Sequence, residues 1–295
     1  MTEISQIDLH GWHCVRMEAG QISAALAPEI GGRIVSLKFR GEELLYIDET
    51  RGGEKYDFTD ADLIGEKQRL GFGLWGGDKT WIAPQAAWSE NIPPLELDAG
   101  QYSHRLRNNS LIMTSPSCRE TGILLTRTFS MEGDGKIRLE QEIKNISSKP
   151  VERGIWNVTQ FLRPFDFYFP VRKALLRPYA EEGESVSLYD QIVREEGGWT
   201  VVPCREKKHF KFGALCEGKC AAVRDDMIHI RRFSADLSAR YAHDSSVEVY
   251  NSPHAPYMEF EVHAPLKILQ PGETQKHSQD WFFLERKGPL ADQLP

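Results

Sequence analysis

Residues 151–170, VERGIWNVTQFLRPFDFYFP, are apolar and aromatic with polar residues at alternate positions. Read as a strand, the run puts Asn157 and Thr159 on one face and Trp156, Val158 and Gln160 on the other. The chain on both sides repeats this habit. Long amphipathic helices are almost absent, and short alternating runs are bounded by Gly, Pro, Asn and Asp, the spacing of an antiparallel β protein. Upstream, strands are expected at 13–17, 21–26, 32–39, 44–47, 102–108, 110–114, 123–130 and 136–145; downstream, at 210–215, 221–229, 246–250, 257–263 and 279–284. MEGDG at 131–135, NISSKP at 145–150 and LQPGET at 269–274 read as turns. Residues 48–70 read as a polar surface excursion, and 171–209 as a long crossover with a solvated charge run at 181–184. A count near twenty strands fits an all-β, mainly antiparallel chain with few short helices, folded as one large two-sheet sandwich over residues 1–295.

Composition narrows the function classes. A net charge of −7 with no basic patch argues against nucleic acid as the main partner and against an anionic membrane surface. No run approaches eighteen consecutive apolar residues, so no membrane span is expected. The first residues show no basic segment followed by an apolar run, so no signal peptide is expected. Five cysteines, an odd count, point to reduced thiols and a cytoplasmic setting. Cys216 and Cys220 have a CxxxC spacing with Cys204 nearby, but no second ligand pair sits at a zinc-like distance. They read as small buried residues on neighbouring strands, and neither a metal nor a cofactor is expected.

The stretch that draws attention as a binding element is 71–85, GFGLWGGDKTWIAPQ. Glycine lets a backbone approach a ligand closely, and indole offers a flat apolar face with an N–H donor. Asp78 and Lys79 lie between Trp75 and Trp81, with Gln85 at the end. Alternating aromatic and polar groups suit a polyhydroxylated ligand, whose C–H faces are apolar and whose edges are hydroxyls. The competing reading is a structural hairpin with both tryptophans in the core.

In 257–265, YMEFEVHAP, alternation places Glu259, Glu261 and His263 on one face. Three ionisable groups on a dry core face would be expensive, so the face either meets water or lines a polar cleft. A cleft would raise a glutamate pKa towards the range of a general base. No GxSxG elbow, HExxH pair or GxxxxGK[ST] loop is present.

LAPEIGGRIVSLKFRGEELLY, residues 26–46, resembles the N-terminal strands of the galactose mutarotase (aldose 1-epimerase) superfamily. YMEFEVHAPLKILQPGETQKHSQDWFFL, residues 257–284, is similar to its closing strands. Between them, WGGDKTW stands where that superfamily carries HGG and a tryptophan, and IWNVTQ where it carries TNH. The chain looks most like a branch with GGDKxWxAPQ-type sequences. The resemblance implies a β-supersandwich whose concave face binds a sugar. It implies Glu259 as the base, with Glu261 second, and Arg33 as the match to Gly-Gly-Arg. Trp75 and Gln160 stand at the positions of the two histidines, and neither can supply a proton near neutral pH. Lys79 or Lys211 would have to serve as acid if burial lowers its pKa.

The leading expectation is a carbohydrate-binding protein, monomer or homodimer, with Arg33, Trp75, Asp78, Lys79, Trp81, Gln85, Asn157, Gln160, Lys211, Glu259 and Glu261 around a small-molecule sugar. An aldose 1-epimerase-like isomerase with Glu259 as base and Lys79 as acid is the second reading. A non-catalytic structural or regulatory β-sandwich is the third.

Overall fold

The computed structural model describes residues 2–56, 63–72, 75–133, 135–288 and 293. Part of the 48–70 excursion, Gly73 and Leu74 of the 71–85 stretch, and Asp134 of the 131–135 turn lie outside the described residues. Two large sheets, of twelve and ten strands, pack face to face, and every strand pairing among the described residues is antiparallel. Two packed antiparallel sheets are the two-sheet sandwich that the sequence leads one to expect.

The 151–170 run belongs to both sheets. Val151–Leu162 sits in the middle of the twelve-stranded sheet between Asp78–Ala83 and Tyr257–His263, and Phe165–Phe169 enters the ten-stranded sheet. Pro164 lacks a backbone N–H and breaks the ladder between them. Arg163 secures this corner by donating to the carbonyls of Ser252 (2.7 Å) and Ala255 (2.6 Å). Phe161, Phe165, Phe167 and Phe169 all join the apolar core between the sheets.

Three expectations are corrected. Residues 171–209 contain a helix, Ser185–Ile192, and a strand, Trp199–Cys204, whose alternation is shortened by flanking charge. The 221–229 run is a hairpin, Gly218–Arg224 and Met227–Phe233, because Asp225 turns the chain with a φ of 45°, which aspartate tolerates. Residues 44–47 make only single bridges, Leu45 to Phe161 and Ile47 to Gly76. Gly76 (φ +91°) has no room for a side chain, since a Cβ there would meet the Tyr46 carbonyl oxygen at 2.3 Å.

The core is not purely apolar. Alternation turns Asp78, Thr80, Asn157 and Thr159 inward, and the facing sheet answers with Arg127, Gln141, Arg231 and Gln279, all buried. Arg127 bonds the Asp78 carboxylate and donates to the Gly32 carbonyl at 2.6 Å. Arg231 donates to Asn157 Oδ1 (2.9 Å) and to Thr159 Oγ1 (2.6 Å), and both of those residues donate to Asp78. One carboxylate thus organises a polar tie between the sheets.

Two core histidines are held neutral. Arg231 Nε donates to His229 Nε2 at 3.0 Å; an arginine can only donate, so that nitrogen carries no proton. Burial, with Arg231 adding to it, holds the His229 pKa well below the usual range. Burial pushes His277 down to about 4. The unfolded chain therefore binds more protons below pH ~6.5, so stability is full above that value and is lost as pH falls towards 4. For His277 the loss is up to about 3 kcal/mol, and His277→Gln should flatten a plot of urea midpoint against pH in that window.

Candidate functional site

The outer face of the twelve-stranded sheet carries three cross-strand rows. Lys211, Tyr250, Glu259 and Gln160 are successive register partners, and so are Glu248, Glu261, Val158 and Lys79; His263, Trp156 and Trp81 form the third. Alternation alone puts these side chains on one face. They surround a cleft of about 290 Å³, lined by Phe72, Lys79, Trp81, Gln85, Trp156, Gln160, Glu182, Lys211, Tyr250, Tyr257 and Glu259. That volume is at the lower end for small-molecule pockets, about 300–1,000 Å³. A larger hollow of about 440 Å³ lies beside the N-terminal strands, but its charged groups are already paired, Asp8 with His13 and Glu29 with Lys55.

The floor is aromatic. Trp81 meets Trp156 edge to face at 5.1 Å, and Trp88 stacks on Trp156 at 5.7 Å. Their N–H groups are committed to the protein: Trp81 donates to Asp98 (2.9 Å), Trp88 to the Ile82 carbonyl (2.7 Å) and Trp156 to Glu261 (2.7 Å). Indole donors therefore do not reach a ligand here, and the exposed ring at the mouth is Phe72, 51% exposed and edge-on to Trp81.

Around Lys211 the charges are settled. Its ammonium lies 2.8 Å from Glu248 and 3.0 Å from Glu261, and both carboxylates are fully buried. Burial alone would lower the Lys211 pKa, but these two neighbours outweigh it and raise the value. Burial would raise Glu248, yet Lys211, His263 and His243 hold it well below the usual carboxylate range. Burial, reinforced by Glu248 and Glu259 and opposed by Lys211, pushes Glu261 well above that range. Glu259 is also pushed up by burial, against Lys79 and Lys211, and accepts from Gln160 at 2.7 Å. Lys79 is moved the other way: burial, with Arg33 adding to it, lowers its pKa. Of the two lysines expected as acids, only Lys79 has the lowered pKa.

Among the described residues, His243, Glu248 and His263 bring three ligand-type atoms within 4.8 Å of one another, the donor set of a divalent metal. The Glu248 carboxylate between them is taken by Lys211 and by the Tyr179 hydroxyl, which donates at 2.7 Å. Lys211 thus takes a Glu248 oxygen that a metal would need as ligand.

Six of the expected residues meet in the cleft: Lys79, Trp81, Gln85, Gln160, Lys211 and Glu259. Glu261 lies just beneath. Arg33, Trp75, Asp78 and Asn157 do not line the cleft. Arg33 pairs with Asp98 (2.8 Å) and donates to the Gly76 carbonyl (2.8 Å); Trp75 packs edge to face on Trp12; Asp78 and Asn157 belong to the inter-sheet tie. The face carrying Glu259 proves to be a cleft wall. Phe72, Trp156, Tyr250, Tyr257 and Glu182 also line the cleft and are not among the expected site residues. Trp156 and Tyr257 share the alternation of Gln160 and Glu259 and were findable from it. Glu182 sits in the expected solvated charge run, yet it bonds His209 at 3.0 Å on the cleft wall.

No helix among the described residues is long and apolar enough to cross a membrane. No curated protein matches the sequence. Among solved structures, a putative aldose 1-epimerase from Klebsiella pneumoniae is similar over 99% of this chain and 85% of its own, with a TM-score of 0.66 at 11% identity. A galactose mutarotase-like protein from Lactobacillus casei is similar over 92% of this chain and 100% of its own, with a TM-score of 0.59 at 12% identity. At that identity the likeness is one of fold. The family described as "Domain of unknown function (DUF4380)" matches residues 94–284, well over half the chain. The Gly76–Gln85 motif precedes the matched residues. The chain belongs to this DUF4380 family, built on the galactose mutarotase-like sandwich.

Proposed function

We propose that the outer-face cleft binds a carbohydrate, and that the protein is a sugar-binding member of its superfamily. The observation that carries this reading is the mixture in one cleft of aromatic rings with under-used polar groups. Lys79, Gln160 and Glu259 stand among Phe72, Trp81, Tyr250 and Tyr257, and Gln160 Oε1 is buried without a hydrogen-bond partner. A buried acceptor left unmade costs about 1–3 kcal/mol, which a sugar hydroxyl would recover by donating to it. The rings suit the C–H faces of a pyranose. Titration with neutral and acidic monosaccharides, followed by tryptophan fluorescence, tests this. Saturable quenching or a blue shift is expected, and a flat response to every sugar would refute it.

One observation favours a second reading, that the bound sugar is also isomerised. Glu259 is raised and Lys79 lowered, so a proton acceptor and a donor with pKa values moved towards neutrality face the same cleft. In this reading Glu259 takes the anomeric hydroxyl proton and Lys79 gives one to the ring oxygen. Freshly dissolved α-aldoses and uronic acids should then equilibrate faster with the protein present, as seen by one-dimensional NMR. Glu259→Gln should slow that catalysed rate by about 10²–10⁴-fold. Unchanged equilibration with wild type removes the isomerase reading and leaves binding standing.

A further inference from the structure

Lys79 is 2% exposed. Its ammonium makes no hydrogen bond and no ion pair within 4.0 Å among the described residues; its one described contact is the Trp81 ring, 4.6 Å from the centroid. A charge in that position is expensive unless something pairs with it.

The nearby carboxylates are already spoken for. Asp78 is held by Arg127 on the far side of the sheet, Asp98 by Arg33, and Glu261 by Lys211. Glu259 takes a hydrogen bond from Gln160 and makes no ion pair with Lys79 within 4.0 Å. The cleft thus presents one ammonium with no direct ion-pair partner among the described residues, beside acceptors and donors suited to hydroxyls.

We infer that the ligand of this cleft is a sugar acid, a monosaccharide bearing one carboxylate that pairs with the Lys79 ammonium. This rests on the carbohydrate reading above and names the class of sugar. A single unmatched cation fits a monoanion. A phosphate ester, mostly dianionic at neutral pH, would need a second cation, and Lys211 is saturated by two carboxylates. Glu182 and Glu259 on the same lining would oppose the extra charge. Lys79 accordingly sets specificity by charge, while Gln160, Glu259 and the rings read the remainder of the ring.

The test is calorimetric titration of the full chain with glucose, galactose and mannose, the corresponding uronates, and glucose 6-phosphate, in wild type and Lys79→Met. At least one uronate should bind about tenfold tighter than its parent hexose, or more, the range of a charge-assisted hydrogen bond. In Lys79→Met that ratio should fall to within about twofold. The methionine removes an unpaired buried charge, so the variant should melt no lower than wild type; Lys79→Gln serves as a second variant should it fail to fold. A hexose binding as tightly as its uronate in wild type overturns the inference and leaves the carbohydrate reading intact. A phosphate ester binding tighter than every uronate overturns the monoanion assignment, and a uronate preference that survives in both variants overturns the role of Lys79. No binding by any of the panel defeats the carbohydrate reading itself.

Discussion

Asp78→Ala should destabilise the fold by about 3–5 kcal/mol, the range for removing one partner of a buried charge cluster. The side chain is fully buried and takes hydrogen bonds from Arg127, Asn157 and Thr159. Removing it leaves the Arg127 guanidinium buried with only carbonyl acceptors, and it loosens the Asn157 and Thr159 positions that Arg231 depends on. Folded domains have net stabilities of about 5–15 kcal/mol, so this one change consumes a large share. Asp78→Asn keeps the shape and loses the charge, and should fall between alanine and wild type. Urea denaturation of the three proteins checks the order. A loss below about 1 kcal/mol for alanine would mean that the inter-sheet tie contributes little.

Lys211→Met should cost a similar amount, about 3–5 kcal/mol near neutral pH, because Glu248 is then a buried carboxylate without its cation. The pH dependence gives this prediction its signature. In wild type the Glu248 pKa is depressed, so its contribution is present above the unfolded value, near 4.5, and is lost as pH falls below that. Without Lys211 the carboxylate is no longer held down and prefers a proton. The deficit should therefore shrink at about pH 5 and widen at about pH 8, read as the difference in urea midpoints. A deficit independent of pH would show that Lys211 acts by packing rather than by charge.

Much of the architecture was legible in the sequence because period-two alternation is a strong local signal. Residues 257–263 form a strand with the expected bounds, and 136–145 and 110–114 do as well. The failures have local causes. Asp225 reads as part of a strand because one turn residue hardly interrupts an apolar run, and the charged residues around Trp199–Cys204 hide that strand. The site divides along the same line. Alternation correctly set Asn157 and Thr159 apart from Trp156 and Gln160. It could not say which face would be core, since both carry polar groups. The 71–85 stretch reads as one binding element, but successive residues in a strand point to opposite faces. Lys79 and Trp81 therefore reach the cleft while Asp78 turns into the core. Arg33 looked functional at its glycine corner. It instead braces Asp98, whose carboxylate also takes the Trp81 N–H of the cleft floor. The pairing of Lys211 with Glu248 joins strands 32 or more residues apart and has no signature in either one.

The central claim, that a sugar occupies the outer-face cleft, is tested most directly by saturation-transfer NMR on a mixture of hexoses and hexuronates. Wild type should transfer saturation to at least one of them, and Gln160→Ala should weaken that signal by about tenfold through loss of a lining hydrogen-bonding group. Signals of equal strength from both proteins would place the sugar elsewhere on the surface, and no signal from any sugar would contradict the account.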